Sequence, residues 1–215
     1  MTRVLLADDH PVVRQGVRAL LSAQPDLTVV GETDDGLRVV DLAEELKPDV
    51  VLLDVMLPGL TGLEVTRQIK KRVPKVQVCL FSMHANEAYV LEGLRNGALG
   101  YVLKSAPADE ILRAVREVAA GRRYLAAPFS DRAIEAYAER VHGAVPQDPW
   151  DGLSAREREV FQLAAEGLGN TDIGRKLSIS PRTVEVHRSS VLRKLGLLSQ
   201  TDLVRYAVRR GVLEP

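Results

Sequence analysis

The sequence predicts a doubly wound α/β domain, a (βα)5 unit with a parallel sheet, followed by a small all-α domain of four helices. Three observations carry this expectation. Five short apolar runs recur within residues 1–122, each followed by an amphipathic stretch. Strands that alternate with helices across short connections imply a parallel sheet, because parallel neighbours need helical crossovers. Reactive side chains close four of the runs: Asp8 and Asp9, Asp54, Ser82 and Lys104. Beyond residue 150 the apolar spacing is that of helices alone.

In chain order, Arg3 to Ala7 (RVLLA) reads as a strand that ends in Asp8, Asp9 and His10, and Val13, Val17, Leu20 and Leu21 mark the helix behind it. Leu27 to Gly31 is the second strand. Val39, Leu42, Ala43 and Leu46 give the next helix, closed by Lys47-Pro48. The stretch VVLLDVMLPGLTG, Val50 to Gly62, begins with four apolar residues, the mark of a strand buried on both faces. It continues through Asp54 into the turn residues Pro58, Gly59 and Gly62. Val65, Ile69 and Val73 form a third stripe, stopped by Pro74. Val76 to Phe81 is the fourth strand, and Asn86 can cap a helix carrying Val90, Leu91 and Leu94. Gly97 and Gly100 frame the turn into the fifth strand, Tyr101 to Leu103. Pro107 is expected as the first residue of a fifth helix, with Ile111, Leu112, Val115 and Val118 inward and Gly121 at its end.

After Gly121 the periodicity weakens. Ile134, Ala138 and Val141 allow one helix from near Ser130, and HGAVPQDPWDG reads as linker, with Trp150 either pinned to a domain or at the surface. The expected domains are therefore 1–122, a linker 123–150 with one helix, and 151–215. Ser154 and Glu157 form a capping box ahead of Val160, Phe161 and Ala164, and Gly167 ends that helix. A short helix from Asn170 or Thr171 carries Ile173 and Leu177. Ser178, Ile179 and Ser180 make a turn, and Pro181 opens a longer helix, the arrangement of a helix-turn-helix. On a helical wheel Val184, Val191 and Leu195 share one side of it. Arg182, Glu185, Val186, Ser189 and Arg193 share the other, the face suited to a major groove, and His187, Arg188 and Lys194 flank it. A last helix, Gln200 to Arg209, carries Leu203, Val204, Ala207 and Val208.

Composition narrows the setting. The 215 residues hold 29 basic and 29 acidic side chains, so no global charge bias marks nucleic acid or membrane. Only residues 151–215 are net positive, 11 basic against 8 acidic. Cys79 lies in the apolar run VQVCLF and reads as a small buried hydrophobe. One thiol forms no internal disulfide, no signal peptide is recognisable, and no stretch reaches the 18 apolar residues of a membrane span. A cytoplasmic protein is expected.

Strand ends of a parallel sheet share one edge, so Asp8, Asp9, Asp54, Ser82 and Lys104 are expected around one site. Three carboxylates together repel, and a hard divalent cation such as Mg²⁺ relieves that; the absence of a His or Cys ligand set speaks against zinc. An Asp beside such a metal can act as a nucleophile toward phosphorus, with Lys104 and Ser82 binding phosphoryl oxygens. His10 is expected to shape the first loop.

In order and in position, this set resembles the receiver domain of two-component response regulators, a flavodoxin-like fold. The resemblance implies that Asp54 accepts a phosphoryl group from the phosphohistidine of a sensor histidine kinase. It implies Mg²⁺ held by Asp9, Asp54 and the Met56 backbone carbonyl, with Asp8 assisting through water, and a switch in which Ser82 turns and Tyr101 changes rotamer. Ser82 stands where the family often has Thr, and Met56 and His84 fall where such domains vary. Residues 153–212 look like a LuxR-type DNA-binding domain, so the whole chain resembles the NarL/FixJ subfamily. By position Glu185, Val186 and Ser189 would face base edges, while Thr171, Thr183, His187 and Lys194 would approach phosphates. Glu185 stands where many members have Lys. Gly174 replaces the usual Ala, at an expected cost of about 0.8 to 1 kcal/mol of helix propensity. The last helix, through Leu203, Val204, Ala207 and Val208, would supply the dimer contact on half-sites of promoter DNA. No enzyme beyond Mg²⁺-dependent self-phosphorylation and autodephosphorylation is expected. A phosphatase acting on a metabolite would need a second carboxylate near Asp54 and a lid, and Val55 and Met56 follow instead.

Overall fold

The computed structural model describes residues 1–85, 87–127, 129 and 149–213. The Asn86 cap, the helix expected from Ser130 with Ile134, Ala138 and Val141, and most of the expected linker lie outside them. The chain forms two compact units, Met1–Ala144 and Val145–Pro215.

In the first unit, strands β1 (Thr2–Ala7), β2 (Leu27–Thr33), β3 (Val50–Asp54), β4 (Gln77–Ser82) and β5 (Gly100–Leu103) alternate with helices α1 (Pro11–Ser22), α2 (Gly36–Leu46), α3 (Gly62–Arg72), α4 (Glu87–Arg95) and α5 (Ala108–Ala119). A sixth short strand, β6 (Tyr124–Leu125), follows within the stretch expected to be linker. All pairings are parallel and the order is β2-β1-β3-β4-β5-β6. The period of two along each strand separates two cores. Leu5, Ala7, Val51, Leu53 and Leu80 pack against α2, α3 and α4. Val4, Leu6, Val50, Leu52 and Phe81 pack against α1 and α5. Pro107 precedes the first turn of α5 instead of occupying it, a one-residue difference of the kind helix ends commonly show.

Chain order reverses between β1 and β3, where open α/β sheets place their ligands. Main-chain packing fixes the loop leaving β3. A Cβ on Gly62 would stand 2.1 Å from the Asp54 carbonyl oxygen, and the Gly62 N–H donates to the Val55 carbonyl at 2.9 Å. The glycine is required by this close approach of α3 to the strand end.

The second unit opens with a 3-10 turn, Pro149–Gly152, followed by α6 (Ala155–Ala165), α7 (Asn170–Leu177), α8 (Pro181–Leu195) and α9 (Gln200–Arg210). The structure resolves the role of Trp150: it is buried, edge-on to Phe161 at 5.0 Å and stacked with Tyr206, with the Arg158 and Arg210 guanidinium groups over its ring. Both sides of the Ser154–Glu157 capping box are formed. Ser180 accepts from the Thr183 N–H at 3.0 Å with Pro181 in the first turn, giving α8 a sharp start.

Candidate functional site

The register brings the expected residues together. Asp54 pairs with Phe81 and Ser82 with Leu103, so Asp8, Asp54, Ser82 and Lys104 end adjacent strands in one crevice. The Lys104 side chain is 2 % exposed, and its Nζ lies 2.7 Å from Asp8 Oδ2 and 2.6 Å from Asp54 Oδ2. The second Asp54 oxygen, Oδ1, accepts from the Met56 N–H at 3.0 Å. Burial pushes the Asp54 carboxyl up to about 6, outweighing Lys104 and the Met56 N–H, which favour its charge; Asp8 adds to the rise.

One oxygen each of Asp8, Asp9 and Asp54 and a ring nitrogen of His10 lie within 4.8 Å of one another. Asp8 Oδ2 and Asp9 Oδ1 are buried and accept no hydrogen bond, although Lys104 Nζ and His10 Nδ1 each stand 2.7 Å from one of them. Hard, under-donated carboxylate oxygens of this kind fit a hard divalent cation. His10 shapes the first loop as expected, its N–H donating to Asp8 Oδ1 at 2.8 Å, and its side chain joins the site as well. Its ring turns into the cluster, 2.7 Å from Asp9, 3.5 Å from Asp8 and 3.8 Å from Asp54, and makes no helix cap for α1. A single, largely exposed imidazole beside three carboxylates still leaves an oxygen-dominated set.

Ser82 is fully buried, and its Oγ accepts from the His84 N–H at 3.1 Å. The Tyr101 hydroxyl donates to the His84 carbonyl at 2.7 Å, and its ring is buried against Phe129, 5.3 Å between centroids and nearly perpendicular. Phe129, in the stretch expected to be linker, gave no periodic signal in the sequence.

In the second unit the exposed face of α8 forms a shallow cleft lined by Arg182, Glu185, Val186, Ser189, Ser190 and Arg193, as the wheel placed it, with Val186 64 % exposed. Thr171 and Thr183 are exposed and His187 is half-buried. Two flanking cations have partners inside the domain. Arg188 donates to Asn170 Oδ1 at 2.9 Å, and Lys194 Nζ binds Glu157 Oε2 at 2.7 Å and the Gly152 carbonyl at 3.1 Å. Among the expected dimer residues, Leu203 and Ala207 are buried in the domain's own core; Val204 and Val208 line an open groove with Leu197 and the exposed Leu198. Gly174 is also corrected. A Cβ there would stand 2.7 Å from the Ile179 carbonyl, so the glycine admits the turn and is more than a propensity cost.

Residues 4–116 match the response regulator receiver domain family and residues 151–207 the bacterial regulatory proteins of the luxR family. The chain is 38% identical to the oxygen regulatory protein NreC of Staphylococcus aureus over 215 residues, 99% of each chain. A two-component response regulator of the LuxR family from Aurantimonas is 39% identical with a TM-score of 0.58, covering 66% of this chain and 99% of its own. RcsB of Salmonella enterica serovar Typhimurium, solved bound to a promoter in the presence of the phosphomimetic BeF3⁻, is 27% identical with a TM-score of 0.57, covering 95% of this chain and 97% of its own. With a flavodoxin-like receiver, an acidic crevice at its sheet edge and a LuxR-type helix-turn-helix, the chain belongs to the two-component response regulators of the NarL/FixJ subfamily, which act as transcription regulators.

Proposed function

We propose that Asp54 accepts a phosphoryl group from a sensor histidine kinase in the cytoplasm, and that this modification controls dimeric, sequence-specific binding of promoter DNA. The observation that carries the reading is the half-satisfied crevice. Asp54 is aimed by Lys104 and the Met56 N–H beside carboxylate oxygens of Asp8 and Asp9 that accept no hydrogen bond. Asp9, Asp54 and the Met56 carbonyl would hold Mg²⁺, with Asp8 through water; bound there, the ion neutralises charge on the transferring phosphoryl oxygens. An Asp54 oxygen attacks phosphorus as the phosphorus–nitrogen bond of the donor imidazole breaks, its electron pair returning to that nitrogen. Lys104 then exchanges its carboxylate contact for a phosphoryl oxygen, and the Ser82 hydroxyl turns to donate to another, releasing the His84 N–H. No other enzymatic activity is part of this reading.

At the output, Glu185, Val186 and Ser189 face base edges, and Arg182, Thr171, Thr183, His187 and Arg193 face phosphates, while Arg188 and Lys194 chiefly brace the domain. Val204 and Val208, half-buried in the groove beside the exposed Leu198, supply the dimer contact. Glu185, an acceptor-only group, favours the cytosine amino group over guanine at its base pair.

The test is incubation with Mg²⁺ and acetyl phosphate. The wild type should form an acid-stable, base-labile adduct that Asp54→Asn lacks, and equal labelling of the variant would sink the reading. Glu185→Lys should move the selected base from cytosine to guanine at one position of each half-site. DNA affinity that does not fall as salt rises would count against phosphate contacts.

A further inference from the structure

We propose that His10 is itself a ligand of the crevice cation and makes the site discriminate in favour of first-row transition ions such as Co²⁺ and Mn²⁺ over Mg²⁺, an inference that rests on reading Asp8, Asp9 and Asp54 as a cation site. Main-chain bonds on both sides place the residue. Its N–H donates to Asp8 Oδ1 at 2.8 Å, and its carbonyl accepts from the Arg14 N–H at 2.9 Å where α1 begins. The imidazole makes no cap for that helix, so its position is not explained by the helix start.

The ring stands where a ligand should. Its Nδ1 lies 2.7 Å from Asp9 Oδ1, 3.5 Å from Asp8 Oδ1 and 3.8 Å from Asp54 Oδ2. Two donors about 2.1 Å from one ion stand about 3.0 Å apart when adjacent in an octahedron and about 4.2 Å when opposite, so these separations suit a shared ion. The shortest of them is not a hydrogen bond. Asp9 Oδ1 is buried and accepts none, so the 2.7 Å approach leaves that oxygen undonated until a cation binds both groups. Lys104 Nζ closes the inner side of the cluster, 3.4 Å from His10 Nδ1 and in contact with Asp8 and Asp54. The side chains of Asp9 and His10 are 34 % and 56 % exposed, so an ion arriving from solvent meets this pair first. Mg²⁺ is best served by oxygen ligands and retained water and gains little from an imidazole, whereas first-row transition ions bind nitrogen strongly. One nitrogen among oxygens therefore changes which ion is preferred while adding no charge to the ligand set.

The alternative is that His10 is only a cationic partner of Asp9 and competes with any metal ion. The full-length chain separates the two. Metal-free wild type, His10→Gln and His10→Ala are titrated calorimetrically with Mg²⁺ and with Co²⁺, and the Mn²⁺-loaded proteins are examined by pulsed electron paramagnetic resonance for coupling to an imidazole nitrogen. Both variants should bind Co²⁺ about tenfold or more weakly than wild type while Mg²⁺ affinity moves by less than about threefold. Nitrogen coupling should be present in the wild type and absent from both variants. Tighter binding of both ions by the variants overturns the proposal and gives His10 the competing role. Co²⁺ and Mg²⁺ affinities that weaken equally, or do not move, overturn it as well, as does a wild type without nitrogen coupling or a coupling that survives in His10→Gln. If both variants lose the far-ultraviolet circular dichroism of the fold, the wild-type resonance decides: nitrogen coupling supports the proposal, and its absence overturns it. A wild type that binds none of the three ions refutes the cation reading of the crevice itself, and the role of His10 falls with it.

Discussion

Asp54 in the receiver and Glu157 in the helix-turn-helix unit are both buried carboxylates with a lysine at almost the same distance, 2.6 Å for Lys104 and 2.7 Å for Lys194. Burial pushes both upward, yet Asp54 rises to about 6 while Glu157 is held at about 2. The difference lies in the supply of donors. Glu157 receives Lys194, the Ser154 N–H and the hydroxyls of Ser190 and Ser154, which together outweigh desolvation. Asp54 shares its lysine with Asp8, whose charge opposes its own. A structural carboxylate is fully satisfied, whereas the reactive one is left short of donors where an incoming group can supply them.

The sharpest way to break this comparison is Lys104→Met. It leaves Asp8 and Asp54 buried without their shared cation, and in EDTA at neutral pH the receiver should lose about 3 to 5 kcal/mol. Millimolar Mg²⁺ should restore part of that. Urea unfolding followed by circular dichroism reports the loss, and an unchanged midpoint would show that the lysine does not hold the crevice together.

Glu157→Ala removes one side of a capping box and the partner of Lys194, at a cost of about 2 kcal/mol to the second unit alone. Trp150 is the protein's one tryptophan and is buried in that unit, so its emission follows this transition separately.

Asp54→Asn should act in the opposite direction. A carboxyl lifted to about 6 binds its proton more readily folded than unfolded, so its ionisation opposes folding increasingly from pH 4 up through 6. The neutral amide should raise receiver stability in EDTA by on the order of 1 kcal/mol near neutral pH, read from thermal melts. Destabilisation would mean that the Lys104 contact outweighs the burial of charge.

The smallest effect is in acid. Glu157 is depressed from 4.5 to about 2, so its contribution is full above 4.5 and is lost as pH falls toward 2. The midpoint of Trp150-detected unfolding should drop across that window in the wild type and flatten in Glu157→Gln.

The receiver crevice was legible in the sequence because each reactive residue directly follows an apolar run, and parallel strands must end on one edge. Asp8, Asp54, Ser82 and Lys104 needed nothing more. What the sequence left open lies where tertiary contact decides between equal local patterns. Arg188 and Lys194 on an exposed helix look alike in sequence whether they face phosphate or brace Asn170 and Glu157. The last helix offers Leu203 and Ala207 one way and Val204 and Val208 another, and only packing identifies the inner pair. Propensity priced Gly174 as a loss because it sees the helix and not the Ile179 carbonyl approaching it. A two-residue strand such as β6 is too short for any period to register.

β6 also bears on how the receiver can be separated from the rest of the chain. A fragment ending at Arg122, where the sequence pattern suggests a boundary, would leave the β5 side of the sheet with unpaired main-chain groups and remove Phe129 from over Tyr101. Bare, flat sheet edges recruit other chains. Fragments retaining Tyr124 through Phe129 should therefore stay in solution at concentrations where the shorter ones pair edge to edge.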